Sequence, residues 1–387
     1  MTTLGEVHGL RAIQTGPFGT QLKADEYNST GNGAPVVSVG EIREGFIRIK
    51  PDTPRVGPEV QTRLGHFMLD ERDVVVSRKG AVDRSAWISK SYGPLFLGSD
   101  AIAVRFDDPD TARFYSYVLR ERSVRGWLVR HAPGTTMLSM NGAVLGAVPV
   151  PPSNGLRMAS IVEVLGALDD KIAANHRLVD SLDDLIRSCV ASRLVKPIQL
   201  WEALSFVFGE AFKGDSFSAP GIGRPLVRIR DLKSQKCQVW TTERRERECE
   251  VRPGDILVGM DAEFRPTRWS GPEGVLNQRV LSASSDTYGP AIALEMLVAP
   301  LRRIERSKAG TTVIHLNKSD LLAEEVLAPV GLEVPALRAL VDPMWERAVA
   351  AEQESVRLAA TRDELLPLLM SGKITVKDAE KTVEEVV

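Results

Sequence analysis

The sequence is poor in several features that usually sort a protein quickly. It has three cysteines, Cys189, Cys237 and Cys249, far apart and odd in number. That excludes a disulfide framework and reads as free thiols in a reducing compartment, the cytoplasm. No run approaches the roughly 18 apolar residues of a spanning helix, so no membrane is expected as a partner. The start, MTTLGEVHGLRAIQ, lacks a charged segment followed by an apolar one, and a secretory leader is not expected. Neither charge sign dominates: 49 Lys and Arg face 51 Asp and Glu. A basic arm that coats nucleic acid is thereby excluded, and any nucleic-acid role must come from local patches. The one marked local imbalance is acidic, over residues 332–387.

Catalytic constellations are equally scarce. His8, His66, His131, His176 and His315 have no metal-ligand spacing with cysteine or with each other. Gly209-Glu-Ala-Phe-Lys-Gly214-Asp215-Ser216 has the glycine spacing of a phosphate loop, but Asp215 stands where the phosphate-gripping Lys belongs. There is no Asn-Pro-Pro-aromatic run of the kind used to methylate base amino groups. Asp261-Ala-Glu263-Phe-Arg265 comes nearest to a nuclease motif and lacks its Lys. These absences favour a binding protein over an enzyme.

What is present is internal repetition. The 387 residues, 43% hydrophobic and 26% charged, are ordinary globular material sufficient for two or three domains. Pro35-Val-Val-Ser-Val-Gly-Glu-Ile42 is answered by Pro225-Leu-Val-Arg-Ile-Arg-Asp-Leu232, and Asp73-Val-Val-Val-Ser77 by Asp255-Ile-Leu-Val-Gly259. Gly134-Thr-Thr-Met-Leu-Ser-Met-Asn141 returns as Gly310-Thr-Thr-Val-Ile-His-Leu-Asn317, and Ala147-Val-Pro149-Val150 as Leu327-Ala-Pro329-Val330. Order is kept and the shifts run only from 176 to 190 residues, as loop insertions between two divergent copies of one domain would give.

Each copy ends in a heptad-like pattern. The first seam runs Ile161, Leu165, Leu168, Ile172, Asn175, Val179, Leu182, Ile186 and Cys189, with Pro197 expected to close the helix. The second runs Leu337, Val341, Met344, Ala348, Ala351, Ser355, Leu358, Arg362, Leu365 and Leu369, ending at Ser371-Gly372. About 36 residues at ~1.5 Å each give a rod of about 50 Å, too long for one face of a compact domain. Two separate amphipathic helices are the alternative to the preferred reading, an antiparallel coiled coil in which Asn175 sets the register. Asp169, Asp170, Lys171, Asp183, Asp184 and Arg187 lie off the seam.

The remainder is α+β material. Strand-like runs are Pro35–Val39, Asp73–Ser77, Ala101–Arg105 and Val144–Val150, then Pro225–Ile229, Asp255–Val258 and Val280–Ser282. Helices are expected over Thr111–Arg125 and around Ala291–Leu301. The copies carry a polar vocabulary suited to DNA. Ser77, Arg78 and Lys79 follow a strand. Thr135, Thr136 and Asn141, with Thr311, Thr312 and Asn317, frame a glycine-started turn in each copy. Arg228 and Arg230 alternate along a strand, and Asn277, Gln278 and Arg279 precede another. Arg and Lys can grip guanine and Asn or Gln adenine, while hydroxyls hold phosphates. The blander readings are a structural Ser/Thr turn and solvated strand faces.

These residues resemble the DNA-specificity subunit of type I restriction–modification systems. The resemblance rests on Gly16-Pro-Phe-Gly-Thr-Gln-Leu22 with Tyr27, the Pro35–Ile42 run, Asp73-Val-Val-Val-Ser-Arg-Lys-Gly80, Gly98-Ser99-Asp100, Gly134–Asn141, Val148-Pro-Val-Pro-Pro152 and the helix with Leu168-Asp-Asp-Lys-Ile172 and Asn175. The second copy departs from it: Gly-Pro-Phe-Gly becomes Gly209-Glu-Ala-Phe-Lys-Gly214, and Ser-Arg-Lys-Gly becomes Gly259-Met-Asp-Ala. The resemblance implies two similar α/β target-recognition domains, residues 1–153 and 197–334. A first long helix at 154–196 and a second with its tail at 335–387 would separate them as an antiparallel coiled coil. It further implies a non-catalytic subunit that reads a bipartite site in double-stranded DNA and scaffolds two modification (methyltransferase) subunits and restriction (translocase/endonuclease) subunits. The chain would bind no cofactor itself, S-adenosylmethionine and ATP belonging to the partners. A coiled-coil adaptor for proteins and an unrecognised single-chain DNA-modifying enzyme are the competing readings.

Overall fold

Asp73-Val-Val-Val-Ser77 and Ala101–Phe106 are β-branched or small apolar runs buried on both faces, and they pair at the centre of an antiparallel sheet. The computed structural model describes residues 2–28, 33–50, 52–134, 137–152, 155–308 and 314–385. The chain divides into two units. One is Met1–Asp169 with Ala360–Val387, the other Asp170–Ala359.

In the first unit the four-stranded sheet has the order Leu10–Thr15, Ala101–Phe106, Asp73–Ser77, Ser85–Trp87. A five-stranded sheet follows the order Tyr27–Asn28, Arg55–Val56, Ala34–Val37, Leu95–Leu97, Met68–Leu69, in which only Ala34–Val37 and Leu95–Leu97 run parallel. Thr2–Thr3 pairs with Pro149–Val150. The second unit repeats this plan. Its four strands are Ser205–Phe208, Val280–Ser284, Ile256–Gly259 and Pro266–Arg268. Its five are Phe217–Ser218, Trp240–Thr241, Arg224–Val227, Gly274–Leu276 and Glu250–Val251, again with one parallel pair. Lys196–Gln199 pairs with Glu325–Ala328. Strand for strand the two units share one topology, as the spaced sequence matches require.

The repetition extends to single backbone bonds. The Gly16 amide donates to Ala101 O at 3.1 Å and the Gly209 amide to Val280 O at 2.9 Å. Both glycines answer a close approach: a Cβ on Gly16 would stand 1.9 Å from Gly98 O, and one on Gly209 2.1 Å from Asn277 O. The Ser38 amide donates to Glu41 Oε2, and Arg228, its counterpart, to Asp231 Oδ2.

The long helices span Gly155–Ala191 and Val334–Ser371, and each lends one part to either unit. Within each unit the parts run antiparallel. In the first, Arg157 donates to Leu369 O and Asp169 accepts from Arg362. In the second, Asn175 meets Glu354, and Val179 packs on Ala348 and Ala351. Seam positions Leu165, Leu168, Ile172, Val179, Ile186, Val341, Leu358 and Leu365 are buried, with Leu182 and Met344 partly so. Among the described residues no helix is long and apolar enough to cross a membrane.

Four local expectations need correction. Pro197 does not close the first long helix, which ends at Ala191; it lies in the strand Lys196–Gln199, an edge position where a missing N–H is tolerated. The run Val144–Val150 opens as the helix Gly142–Gly146, capped by Asn141, and only Pro149–Val150 is extended. The expected helix over Thr111–Arg125 is two, Pro109–Arg120 and Arg122–His131, broken at the extended Glu121. Arg228 and Arg230 leave the strand, which stops at Val227, and enter a short 3₁₀ turn. Off the seam, Asp169 and Asp183 pair with the largely buried Arg120, Arg362 and Arg268.

Candidate nucleic-acid interface

The tertiary fold joins four of the spaced motifs of the first unit. Ser77 ends its strand, and Arg78 and Lys79 leave it. The Arg78 amide donates to Asp100 O, and the Met140 amide to Arg78 O at 2.6 Å; the Gly80 amide donates to Leu138 O. Arg78 Nη1 donates to Ser99 O at 3.0 Å, and its guanidinium lies 5.7 Å from the centroid of the Phe18 ring. Lys79 Nζ reaches Asp100 Oδ1 at 2.9 Å. Phe18, the ring beside Arg78, and Met137 are large apolar groups exposed at 57% and 59%. Hydrogen-bond donors beside apolar faces can address both base edges and stacked or methyl surfaces.

The second unit builds the same cradle. The Met260 amide donates to Arg279 O, the Leu316 amide to Met260 O at 2.8 Å, and the Ala262 amide to Ile314 O. Lys79 bridges Ser139 in one unit and Asp261 bridges His315 in the other. Gly80 has φ +69° and Ala262 φ +65°, so the left-handed turn persists where its glycine has been replaced. Asp261 Oδ1 lies 2.6 Å from His315 Nδ1 and 3.8 Å from Arg279 Nη1.

The expected site residues thus separate. Arg78, Lys79, Gln278 and Arg279 stand on these cradles, and all four are at least partly exposed. Arg230 is exposed on the 3₁₀ turn, whereas Arg228 is held by the fully buried Asp231 at 3.2 Å. Ser77 is fully buried and has no surface to offer. Asn141 Oδ1 accepts from the Val144 amide at 2.9 Å, and Asn317 shares a reciprocal cap with Asp320. Both asparagines are therefore engaged as N-caps, a role that helix-start chemistry accounts for. Thr135, Thr136, Thr311 and Thr312 lie outside the described residues. Sequence reasoning missed Phe18, Asp100, Asp261 and His315 as individual site residues. Carrying the repeat shifts through residue by residue would have set Asp261 opposite Lys79 and His315 opposite Ser139.

Buried charge recurs elsewhere in both units. In the first unit burial pushes the Asp169 carboxyl up, but the Arg120 and Arg362 guanidiniums outweigh it and hold it below the usual carboxylate range. Asp73, at the start of the strand leading to Arg78, is raised to about 6 by burial, opposed by Arg105 at 3.5 Å. Asp255, its counterpart, is also raised by burial. In the second unit Arg268 lies between Asp183 and Glu352 at 2.7 and 2.9 Å, 4.8 Å from the Trp345 ring.

Comparison with known proteins places this architecture. No family profile matches the chain. It is 29% identical over 189 residues to the type I restriction enzyme EcoBI specificity subunit of Escherichia coli; the match takes in 46% of this chain and 39% of that protein, so it spans about two-fifths of its relative's length. In fold it is similar to the type I restriction–modification S subunit from M. genitalium, with a TM-score of 0.54, 14% identity and coverage of 95% of this chain and 94% of that one. The HsdS subunit from Thermoanaerobacter tengcongensis aligns over 96% of both chains at 14% identity with a TM-score of 0.33.

Proposed function

We propose that this chain, which resembles type I specificity subunits in sequence and fold, is the non-catalytic DNA-specificity subunit of a type I restriction–modification complex. Residues 1–153 and 197–334 act as two target-recognition domains, each reading one half of a bipartite site in double-stranded DNA. The helices within 154–196 and 335–387 serve as spacer and as the seat for partner subunits. Two modification subunits supply methyl transfer from S-adenosylmethionine, and restriction subunits supply ATP-driven cleavage. The complex works in the cytoplasm.

One observation carries this reading. A single backbone cradle occurs in both units, bond for bond, while the side chains mounted on it differ. A duplicated catalytic site would keep its chemistry; a duplicated reader keeps its frame and changes what it presents. Near-neutral net charge is compatible with specificity residing here and much of the phosphate affinity residing in partners. Selection from a randomised duplex pool, with and without the modification subunit, tests the proposal. It predicts enrichment of two short sequences at fixed separation. Absence of any enriched bipartite sequence in both conditions would falsify it.

A further inference from the structure

The two cradles differ by an exchange of charge. Lys79 and Asp100 in the first unit correspond to Asp261 and Arg279 in the second, because Asp73–Ser77 and Ile256–Gly259 occupy the same place in the same sheet and Ala101 and Val280 pair with Ser77 and Gly259. The cation follows one strand in the first unit and precedes the neighbouring strand in the second, and each pair closes, at 2.9 and 3.8 Å. The side chains of Lys79, Asp100, Asp261 and Arg279 are 42%, 35%, 28% and 51% exposed, so each pair presents a donor and an acceptor side by side at the surface.

We infer that this exchanged ion pair is a base-pair reader, addressing a G·C pair in the half-site of each unit with opposite strand orientation in the two units' own frames. The inference rests on the DNA-reading function proposed above. In the major groove a G·C pair shows the O6 and N7 acceptors of guanine next to the N4 donor of cytosine. A cation beside a carboxylate matches that pattern in one orientation, Lys79 facing guanine and Asp100 facing cytosine. Exchanging the charges at the same backbone positions matches the reversed pair. Arg279 can grip guanine through two bonds where Lys79 supplies a point charge. His315, on Asp261, occupies the place of Ser139 and orients the carboxylate of the second pair.

The test is selection from a randomised duplex pool by the assembled complex with the modification subunit. It compares the wild-type chain with the double variants Lys79→Asp/Asp100→Arg and Asp261→Lys/Arg279→Asp. Each variant keeps an ion pair, and a thermal melt alongside wild type confirms folding. The first variant is expected to change one position of one half-site from G to C on the same strand, with a preference of about tenfold or more, and to leave the other half-site intact. The second variant should do the reverse. Unchanged half-sites, a change confined to an A·T position, or loss of all selection by a folded variant would each overturn the inference. A wild-type complex that enriches no bipartite sequence sinks the parent reading instead, and the wild-type arm alone reveals it.

Discussion

Arg362 Nη1 donates to Asp169 Oδ1 at 2.6 Å, and Arg120 Nη1 to the other carboxylate oxygen at 3.0 Å. One carboxylate from the first long helix thus neutralises a guanidinium from the second and another from the globular part of the first unit, with Arg120 only 3% exposed. Asp169→Ala strips the buried Arg120 of this carboxylate and leaves Arg362 to Asp363, which accepts from it at 2.7 Å. A loss of about 3–5 kcal/mol is expected, read as the lower of two transitions in urea unfolding. The linkage sign is that of a depressed carboxylate: the stabilisation is complete above the unfolded value of 3.8 and is lost as pH falls below it. A wild-type first unit whose stability declines already between pH 7 and 5 because of this group would contradict the assignment.

Asn175, 2% exposed, donates from Nδ2 to Glu354 Oε2 at 2.8 Å. Asn175→Asp replaces a donor by a second carboxylate of nearly the same shape. At pH 7 the variant should lose about 1–3 kcal/mol, and much of the loss should vanish near pH 4, where one of the two acids takes a proton. Paired thermal melts at the two pH values check this; a deficit independent of pH would show that the donor, not the charge, matters.

Gly16→Ala and Gly209→Ala each force a methyl into a carbonyl oxygen, at 1.9 and 2.1 Å. Each should cost about 1–3 kcal/mol or more, and each should loosen only its own unit. Hydrogen exchange resolved by peptide distinguishes the two: deprotection of Asp73–Phe106 for the first, of Ile256–Ser284 for the second.

Ala262 holds φ +65° where its counterpart Gly80 holds +69°. A Cβ at Gly80 meets nothing within 4 Å, so backbone strain alone separates the two residues. Ala262→Gly should stabilise the second unit and Gly80→Ala destabilise the first, each by about 1 kcal/mol. Opposite shifts in thermal midpoint are expected, and shifts of the same sign would refute the equivalence of these turns.

The legible parts of the fold were those written in local periodicity. Leu165, Leu168, Ile172 and Val179, with Val341, Ala348, Leu358 and Leu365, form a seam because every three or four residues returns to one helix face. Asp73–Ser77 is a strand because a β-branched run flanked by turn residues has few other conformations. Less legible were Ser77, which is buried rather than at the surface, and Asn141 and Asn317, which cap helices rather than stand free to read bases. The caps are local, fixed by the next three residues, whereas Ser77 is buried by its pairing with Ala101 in the sheet.

Sequence alone determined that the chain holds two copies of one unit, in one order, each followed by a long amphipathic helix. Duplication leaves its mark in spacing, and helix faces leave theirs in period. Only the tertiary structure decided that Lys79 meets Asp100, that Asp261 meets Arg279, and that Asp169 lies between Arg120 and Arg362. Such pairs join segments about 20 to 190 residues apart, where no local preference acts. They form because strand register and helix packing bring opposite charges together, and around Asp169, where Arg120 and Arg362 are largely buried, water is too sparse to solvate them singly.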